Sequence, residues 1–304
     1  MDSEQVREGN PAPQAQDIPV TEAKSGECEV RVRAAYPSLT SAQQKVADYA
    51  LEHPEKVIYS SVSELAEDCG ISVGTVVRFC QAVGFQGYQE FKLILSRDIV
   101  SRTEDIHEDV TPDDDLESLA AKVSYANAQA INDSLRALDP SELRQAVDAI
   151  INARKVELYG VGASGFAAGT AKYKFLRIGI LCDAYTDSHL QAMSAATLTA
   201  QDVAIGFSYS GSTKDVIHSL SLAKEAGATV ICITNFANSP ITQLSDAKLL
   251  TASRETPLGS GALRSSIAQL HILDILFTAV AMRLHKKVLE FGEKTAKAVV
   301  DKLY

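Results

Sequence analysis

The chain has 304 residues, 46% of them hydrophobic, and a formal net charge of −10 at pH 7. This length is enough for one to three domains with a sizeable core. No apolar run approaches the roughly 20 residues that span a bilayer, and residues 1–30 contain no signal-peptide stretch, so we expect a cytoplasmic protein. The five cysteines are scattered without a CxxC pair, which argues against a zinc site and a disulfide framework.

The negative charge is concentrated in two segments. Residues 1–30 carry a net charge of −5 and residues 103–117 a net charge of −8, which leaves the rest of the chain near +3. The first segment is proline-containing and has no apolar periodicity, and it predicts a disordered acidic tail over residues 1–30. The second predicts an acidic linker at 109–115, between one domain at 31–108 and another at 116–304.

The first domain has the pattern of an all-α, helix-turn-helix unit. Such a unit needs a small residue in its first helix and a residue that tolerates positive φ in the turn, and Ala66 and Gly70 meet these needs. We expect Ser72 to cap the second helix, with a polar set facing solvent that can meet base edges and phosphates: Ser72, Gly74, Thr75, Arg78 and Gln81. A protein-interaction module of the same shape is the alternative, because acids slightly outnumber bases between Tyr36 and Arg102.

The second domain alternates short apolar runs with helical stretches. The strand candidates are residues 156–159, 178–182, 203–207, 229–234 and 248–251. Apolar strands separated by helices of ten or more residues predict a five-stranded parallel sheet with helices on both faces. The domain is therefore of the α/β class.

Two loops of this domain carry most of the functional signal. The hydroxyl loop, residues 208–213 (SYSGST), follows the third predicted strand and leads into a helix. A helix start offers unpaired backbone N–H groups and a partial positive charge, which suit a phosphate group. Helix capping is the alternative, but capping requires only one hydroxyl. The loop therefore favours a phosphate site.

The glycine-rich loop, residues 160–165 (GVGASG), follows the first predicted strand. Its glycines match the dinucleotide fingerprint GxGxxG, with Asp183 or Asp187 near the position of a ribose-binding acid. A dinucleotide site does not require a second, hydroxyl-rich loop. Two convergent loops with glycine and serine favour one compact phosphate with a small polar body, and a dinucleotide stays open as the alternative.

With these motifs in this order, the chain resembles the RpiR family of bacterial transcriptional regulators, in which a helix-turn-helix precedes a sugar isomerase (SIS) domain. The resemblance covers about residues 36–304 and rests on 73–91, 160–164, 208–213 and 267–270 with Asp274. It implies a flavodoxin-like three-layer sandwich. It also implies a set of ligand-binding residues, in which Ser208, Ser210 and Thr213 hold the phosphate: Gly162, Ser164, Ser208, Ser210, Gly211, Thr213, Thr234 and Glu255.

We therefore expect a DNA-binding transcriptional regulator whose SIS domain senses a sugar phosphate and alters operator binding. Its expected partners are a double-stranded DNA operator, a sugar phosphate and further copies of itself in a homodimer or homotetramer. No membrane, metal, cofactor or catalytic residue is expected. The alternatives are a sugar-phosphate isomerase or lyase, with Glu255 as base and His189 or His271 as its partner, and a dinucleotide-sensing redox regulator.

Overall fold

The structure is a computed structural model that describes residues 26–102, 110, 113–253 and 263–302. Within these residues the N-terminal part of the chain is all helical. Its helices are α1 (Glu27–Ala35), α2 (Ser41–Glu52), α3 (Pro54–Tyr59), α4 (Val62–Asp68), α5 (Val73–Ala82) and α6 (Tyr88–Arg102).

The C-terminal part alternates strands and helices. Its elements are α7 (Leu116–Ala137), α8 (Pro140–Asn152), β1 (Lys155–Tyr159), α9 (Ala163–Arg177), β2 (Cys182–Tyr185), α10 (Ser188–Ala195), β3 (Asp202–Phe207), α11 (Lys214–Glu225), β4 (Thr229–Thr234), α12 (Pro240–Leu244), β5 (Ala247–Leu250), α13 (Leu263–Arg283) and α14 (His285–Lys297). The described strands form one parallel sheet of order β2-β1-β3-β4-β5. The predicted fold class is confirmed.

The first helix begins four residues before the domain boundary predicted at residue 31. The Asp98 carboxylate, on α6, accepts hydrogen bonds from the backbone N–H groups of Glu27 at 2.9 Å and Cys28 at 2.6 Å. These bonds satisfy donors that a helix start leaves unpaired. Because Asp98 lies 71 residues from Glu27 in the chain, the local composition of residues 27–30 carried no sign of this cap. Burial, followed by the charge of Asp98, raises the pKa of the Cys28 thiol to about 12.

The helix-turn-helix consists of α4, a turn at Gly70 and α5. Gly70 has φ of +64°, which only glycine adopts without strain, as the sequence pattern required. The backbone N–H of Thr75 donates to Ser72 Oγ at 3.3 Å, so Ser72 caps α5 as predicted. Leu65, Val76 and Phe79 are fully buried between the helices. The structure thus contains the predicted turn at Gly70, the predicted cap at Ser72 and the predicted apolar contact between α4 and α5.

The sheet is covered on both faces. Helices α8, α9 and α13 pack on one face, where they enclose Val203, Ile205 and Phe207 of β3. Helices α10, α11 and α12 pack on the other, against Tyr159 and Ala204. Since consecutive strand residues point to opposite faces, a strand buried on both sides is apolar throughout.

The second strand begins later in the chain than the sequence predicts. Residues 178–182 were expected to form it, but α9 runs to Arg177 and β2 begins at Cys182. Gly179, with φ of +74°, ends the helix, and the N–H of Ile180 donates back to Phe175 O at 3.1 Å. Ile178 is buried in the core beneath the helix end, so its apolar character reflects helix packing rather than a strand.

Helix α13 is long and apolar enough to cross a membrane by length and composition, in contrast to the sequence-based expectation that no such run exists. Its Ile272, Leu273, Leu276 and Val280 are fully buried in the core beside the sheet. Apolar residues that are buried against a sheet are typical of a core helix. The composition of α13 is therefore explained by its packing.

Lys92 on α6 is a buried cation at the boundary of the two domains. Its side chain is 7% exposed. Its Nζ donates to Ser60 O at 2.8 Å and lies 5.5 Å from the ring centroid of Tyr88 and 5.8 Å from that of Phe236. Burial lowers the pKa of Lys92 to about 8, against a smaller opposing effect of Glu64.

We expect Lys92→Met to raise the free energy of unfolding at pH 7, because wild type must bury a charged ammonium there. Between pH 8 and 10.5 the unfolded chain still binds the proton that the folded chain has released, so raising the pH stabilises wild type. The advantage of Lys92→Met should thus shrink by on the order of 3 kcal/mol between pH 7 and pH 10. Urea unfolding at both pH values measures it.

The matched control is Lys45→Met, at an exposed position on α2. A solvated ammonium loses little hydration on folding, so this control should change the free energy of unfolding equally at both pH values. An equal difference between wild type and Lys92→Met at pH 7 and pH 10 would contradict the burial of the charge.

Candidate functional site

The hydroxyl loop and the glycine-rich loop lie at the same edge of the sheet. They follow β3 and β1, which pair as parallel neighbours, with Tyr159 opposite Gly206. The chain passes from β1 to β2 on one side and from β3 towards β5 on the other. The strand order therefore reverses between β1 and β3, and ligands of open α/β sheets bind in the crevice outside such a reversal.

The hydroxyls of the hydroxyl loop do not cap the helix that follows. Thr213 is the N-cap residue of α11, yet within the described residues no side-chain hydrogen bond caps this helix. The Thr213 hydroxyl instead pairs with that of Ser208, with 2.9 Å between the oxygens. Ser210 Oγ accepts from the N–H of Ser212 at 3.2 Å. The hydroxyls are thus collected in front of the α11 N-terminus, where partial positive charge favours an anion.

Gly211 allows the hydroxyl loop to lie against the chain after β4. Its φ is +62°, and a Cβ built there would overlap the Ser239 hydroxyl. Its carbonyl accepts from the N–H of Ile241 at 3.0 Å. Ser239 is fully buried, and sequence reasoning missed it because it belongs to a segment without a functional motif.

The glycine-rich loop is held by two buried glutamines. Gln191 Nε2 donates to Gly160 O at 3.2 Å, and Gln269 Nε2 donates to Ser164 Oγ at 3.2 Å. Gly162, with φ of +55°, is the N-cap of α9, and this helix also lacks a side-chain cap in the described part of the chain. Gln269 belongs to the run 267–270 that supported the resemblance, but its bond to Ser164 was not anticipated.

Contacts of Tyr209 with neighbouring segments hold the hydroxyl loop in place. Tyr209 donates its hydroxyl hydrogen to Ser253 O at 3.2 Å, and its ring meets that of Phe236 edge to face at 5.6 Å. Thr234, predicted as a ligand-binding residue, is fully buried and donates to Tyr209 O at 3.3 Å. Its hydroxyl thus positions the loop. Glu255 lies outside the described residues.

The two acidic residues considered for binding a dinucleotide ribose both make contacts within the protein. Asp183 forms an ion pair with Lys172 at 2.6 Å, which lowers the pKa of its carboxyl group. Asp187 accepts from the N–H of Leu190 at 2.9 Å and so caps α10. These contacts explain the two acids without a ribose.

The histidines considered as catalytic partners lie on different helices. His189 is the second residue of α10 and is exposed. His271 is half-buried on α13, and among the described residues its Nε2 has no hydrogen-bond partner. Neither histidine is hydrogen-bonded to a residue of the hydroxyl loop within the described chain.

The predicted reading residues share the outer face of α5. Ser72, Gly74, Arg78 and Gln81 are exposed, and Thr75 is half-buried. The hydroxyls of Ser72 and Thr75 lie 2.9 Å apart, and Arg78 Nη2 donates to Thr75 Oγ1 at 3.2 Å. The helix thus presents an ordered polar face with a cation one turn from its start.

Comparison with known proteins supports both the N-terminal helix-turn-helix and the C-terminal α/β domain. Residues 27–102 match the helix-turn-helix domain of the rpiR family, and residues 149–279 match the SIS domain. Among solved structures, the Vibrio vulnificus NanR protein complexed with ManNAc-6P is 29% identical, with a TM-score of 0.80, covering 91% of this chain and 99% of its own.

Two bacterial relatives match over nearly their whole length. A protein of Caldanaerobacter subterraneus, named an HTH-type transcriptional regulator, is 40% identical over 268 residues, covering 88% of this chain and 95% of its own. Another of the same description, from Haemophilus influenzae, is 34% identical over 283 residues, covering 92% and 98%. The chain therefore belongs to the rpiR family of helix-turn-helix transcriptional regulators that carry a SIS domain.

Proposed function

We propose that this protein is a cytoplasmic transcriptional regulator that binds operator DNA through α5 and changes its affinity for DNA when a sugar phosphate occupies its second domain. The observation that carries the second half of this proposal is the meeting of the hydroxyl loop and the glycine-rich loop outside β1 and β3. Both loops lead into helices without side-chain caps in the described chain. Two such helix starts at one crevice favour an anion.

The hydroxyls and glycines of the two loops favour a phosphate attached to a small polar body. Ser164, Ser208, Ser210 and Thr213 supply hydroxyls, while Gly162 and Gly211 allow the backbone to approach a ligand closely. The partners of Asp183 and Asp187 weaken the case for a dinucleotide. NanR was solved with ManNAc-6P, so we take amino-sugar and hexose 6-phosphates as the first ligand class to test.

A binding role is proposed rather than a catalytic one. The two relatives above are named as regulators. Proton transfer between sugar carbons needs a base and an acid within hydrogen-bond reach of one substrate. His189 and His271 lie on helices α10 and α13 and have no contact with the hydroxyl loop among the described hydrogen bonds.

Self-association is part of the proposal. Helix-turn-helix proteins read paired half-sites as dimers, and the symmetry of the site mirrors that of the protein. The closing segment is exposed in the single chain, with Leu289 and Val300 each 63% accessible. We propose a homodimer or homotetramer in which this apolar surface contributes to the contact.

The hydroxyl loop is tested by Ser208→Ala combined with Ser210→Ala. Wild type should melt at a higher temperature in 1 mM ManNAc-6P, glucosamine 6-phosphate or glucose 6-phosphate, because a ligand that binds the folded state stabilises it. The double variant should lose this rise, with at least tenfold weaker binding, while it retains affinity for a duplex selected from a random pool by wild type. Melting curves and DNA titrations measure both effects.

The matched control is Thr197→Ala, which removes an exposed hydroxyl near the opposite edge of the sheet. It should leave the ligand-induced rise unchanged. No rise for wild type with any phosphosugar at millimolar concentration would refute sugar-phosphate sensing. Loss of both ligand and DNA binding in the double variant would assign the two serines a folding role.

The reading face is tested by Arg78→Ala and, separately, Gln81→Ala. An arginine that meets a base or phosphate contributes roughly 1–3 kcal/mol, so affinity for the selected duplex should fall about tenfold or more. Removal of one phosphate contact should also reduce the slope of log affinity against log salt by about 1. Fluorescence anisotropy at several salt concentrations measures both quantities.

Arg136→Ala, at an exposed arginine of α7, is the control. An equal loss of duplex affinity in this variant would refute the assignment of α5 as the reading helix.

A further inference from the structure

One loop of the second domain contacts the helix-turn-helix directly. We call residues 235–239, between β4 and α12, the coupling loop. Ser61 Oγ donates to the backbone carbonyl of Asn238 at 2.6 Å, and Asn238 Nδ2 donates to Glu67 Oε2 at 2.6 Å. Ser61 is the N-cap residue of α4, and Glu67 lies in its last turn. The coupling loop therefore holds the first helix of the helix-turn-helix at two points six residues apart.

Phe236 adds an apolar contact beside these hydrogen bonds. Its ring lies 5.8 Å from Nζ of Lys92, and the same ammonium donates to the carbonyl of Ser60, just before α4. Both Phe236 and Lys92 are 7% exposed. Close-packed contacts between buried side chains resist sliding of one domain on the other.

The coupling loop also lies against the hydroxyl loop. The N–H of Asn235 donates to Tyr209 O at 3.1 Å, and the rings of Phe236 and Tyr209 meet edge to face. Ser239 fills the space beside Gly211 so closely that a methyl group at Gly211 does not fit. Asn238 and Ser239 are consecutive residues, so the contact with α4 and the contact with the hydroxyl loop are one residue apart.

We propose that the coupling loop transmits occupancy of the hydroxyl loop to the reading helix, with the Asn238–Ser61 and Asn238–Glu67 hydrogen bonds as the link. This inference rests on the proposed function and specifies how the regulation works within one chain. An anion that draws the Gly211 backbone towards the helix N-terminus displaces Ser239, because close packing leaves no free volume between them. The displacement changes the hold of Asn238 on α4, against which α5 packs.

The size of the change in DNA affinity depends on how much the strength of these hydrogen bonds differs between the ligand-free and the ligand-bound state. A ligand shifts an equilibrium only by its differential affinity for the two arrangements, and coupling of this type usually changes affinity roughly 5- to 150-fold. Ser61 is well placed for such a role, because its hydroxyl both accepts from the N–H of Glu64 at 3.1 Å and donates to Asn238. A loss of the link thus removes a restraint from the start of α4 directly.

A double-mutant cycle tests the link without any effector. The full-length proteins are wild type, Gly211→Ala, Ser61→Asp and the combination. Gly211→Ala forces Ser239 to move, whereas Ser61→Asp retains an oxygen that caps α4 and loses the hydroxyl hydrogen that Asn238 accepts. Amide hydrogen exchange of residues 62–82 and affinity for the selected duplex are measured for each protein.

We expect Gly211→Ala to accelerate exchange in α4 at least fivefold and to change duplex affinity at least threefold. In the Ser61→Asp background, where only the Asn238–Glu67 hydrogen bond of the link is left, the same substitution should have a clearly smaller effect on both quantities. Equal effects in both backgrounds would refute the link, and so would unchanged α4 exchange in Gly211→Ala. Gly169→Ala is the matched control, because the added Cβ has no described atom within 4 Å apart from its chain neighbours and the backbone of its own helix; it should leave α4 exchange unchanged.

A second variant keeps the test decisive if Gly211→Ala does not fold. Asn238→Ala removes the amide that binds Glu67 and leaves the core intact, and it should accelerate α4 exchange on its own. Unchanged exchange in this variant would refute the link. The cycle contains no phosphosugar, so it can fail while the melting screen succeeds. In that case sugar-phosphate sensing is retained and the coupling loop does not transmit the signal. Failure of the melting screen, in contrast, refutes the proposed function itself.

Discussion

The chemistry of the second domain depends on one constraint, namely that parallel strands end at a common edge and the helices after them begin there. Helices α9 and α11 start beside each other at the reversal between β1 and β3, and neither has a side-chain cap in the described residues. Unpaired N–H groups and partial positive charge at such helix starts favour an anion, which is the basis of the proposed ligand site at this edge. The sheet, its two apolar faces and the buried glutamines Gln191 and Gln269 hold these helix starts in position.

The same edge brings the two domains into contact. The coupling loop follows β4 at this edge, so its position is set by the sheet, and its contacts with α4 are set by Asn238. The proposed DNA-reading unit and the proposed anion-binding loop, which are far apart in sequence, are thereby joined through a few residues. Lys92, buried against Phe236, contributes to the contact at the cost of its hydration.

Features that depend on local chemistry were predictable. Gly70 was expected in the turn because a positive φ favours glycine, and Ser72 as a cap because its hydroxyl reaches the N–H of Thr75. Features that depend on distant partners were not. The start of α1 needs Asp98, and the end of α9 at Arg177 follows from the packing of Ile178. An apolar run alone does not distinguish a strand from a buried helix end.

The sequence by itself determined the fold class and the family and identified the two candidate loops, because these follow from periodicity, turn residues and motif order. Only the tertiary structure decided what each polar group does. It pairs the Thr213 hydroxyl with Ser208 instead of a helix N–H, and it directs the Thr234 hydroxyl to the carbonyl of Tyr209. It also places Ser61 against Asn238, 177 residues away. A hydrogen bond depends on distance and direction in space, and residue order along the chain specifies neither.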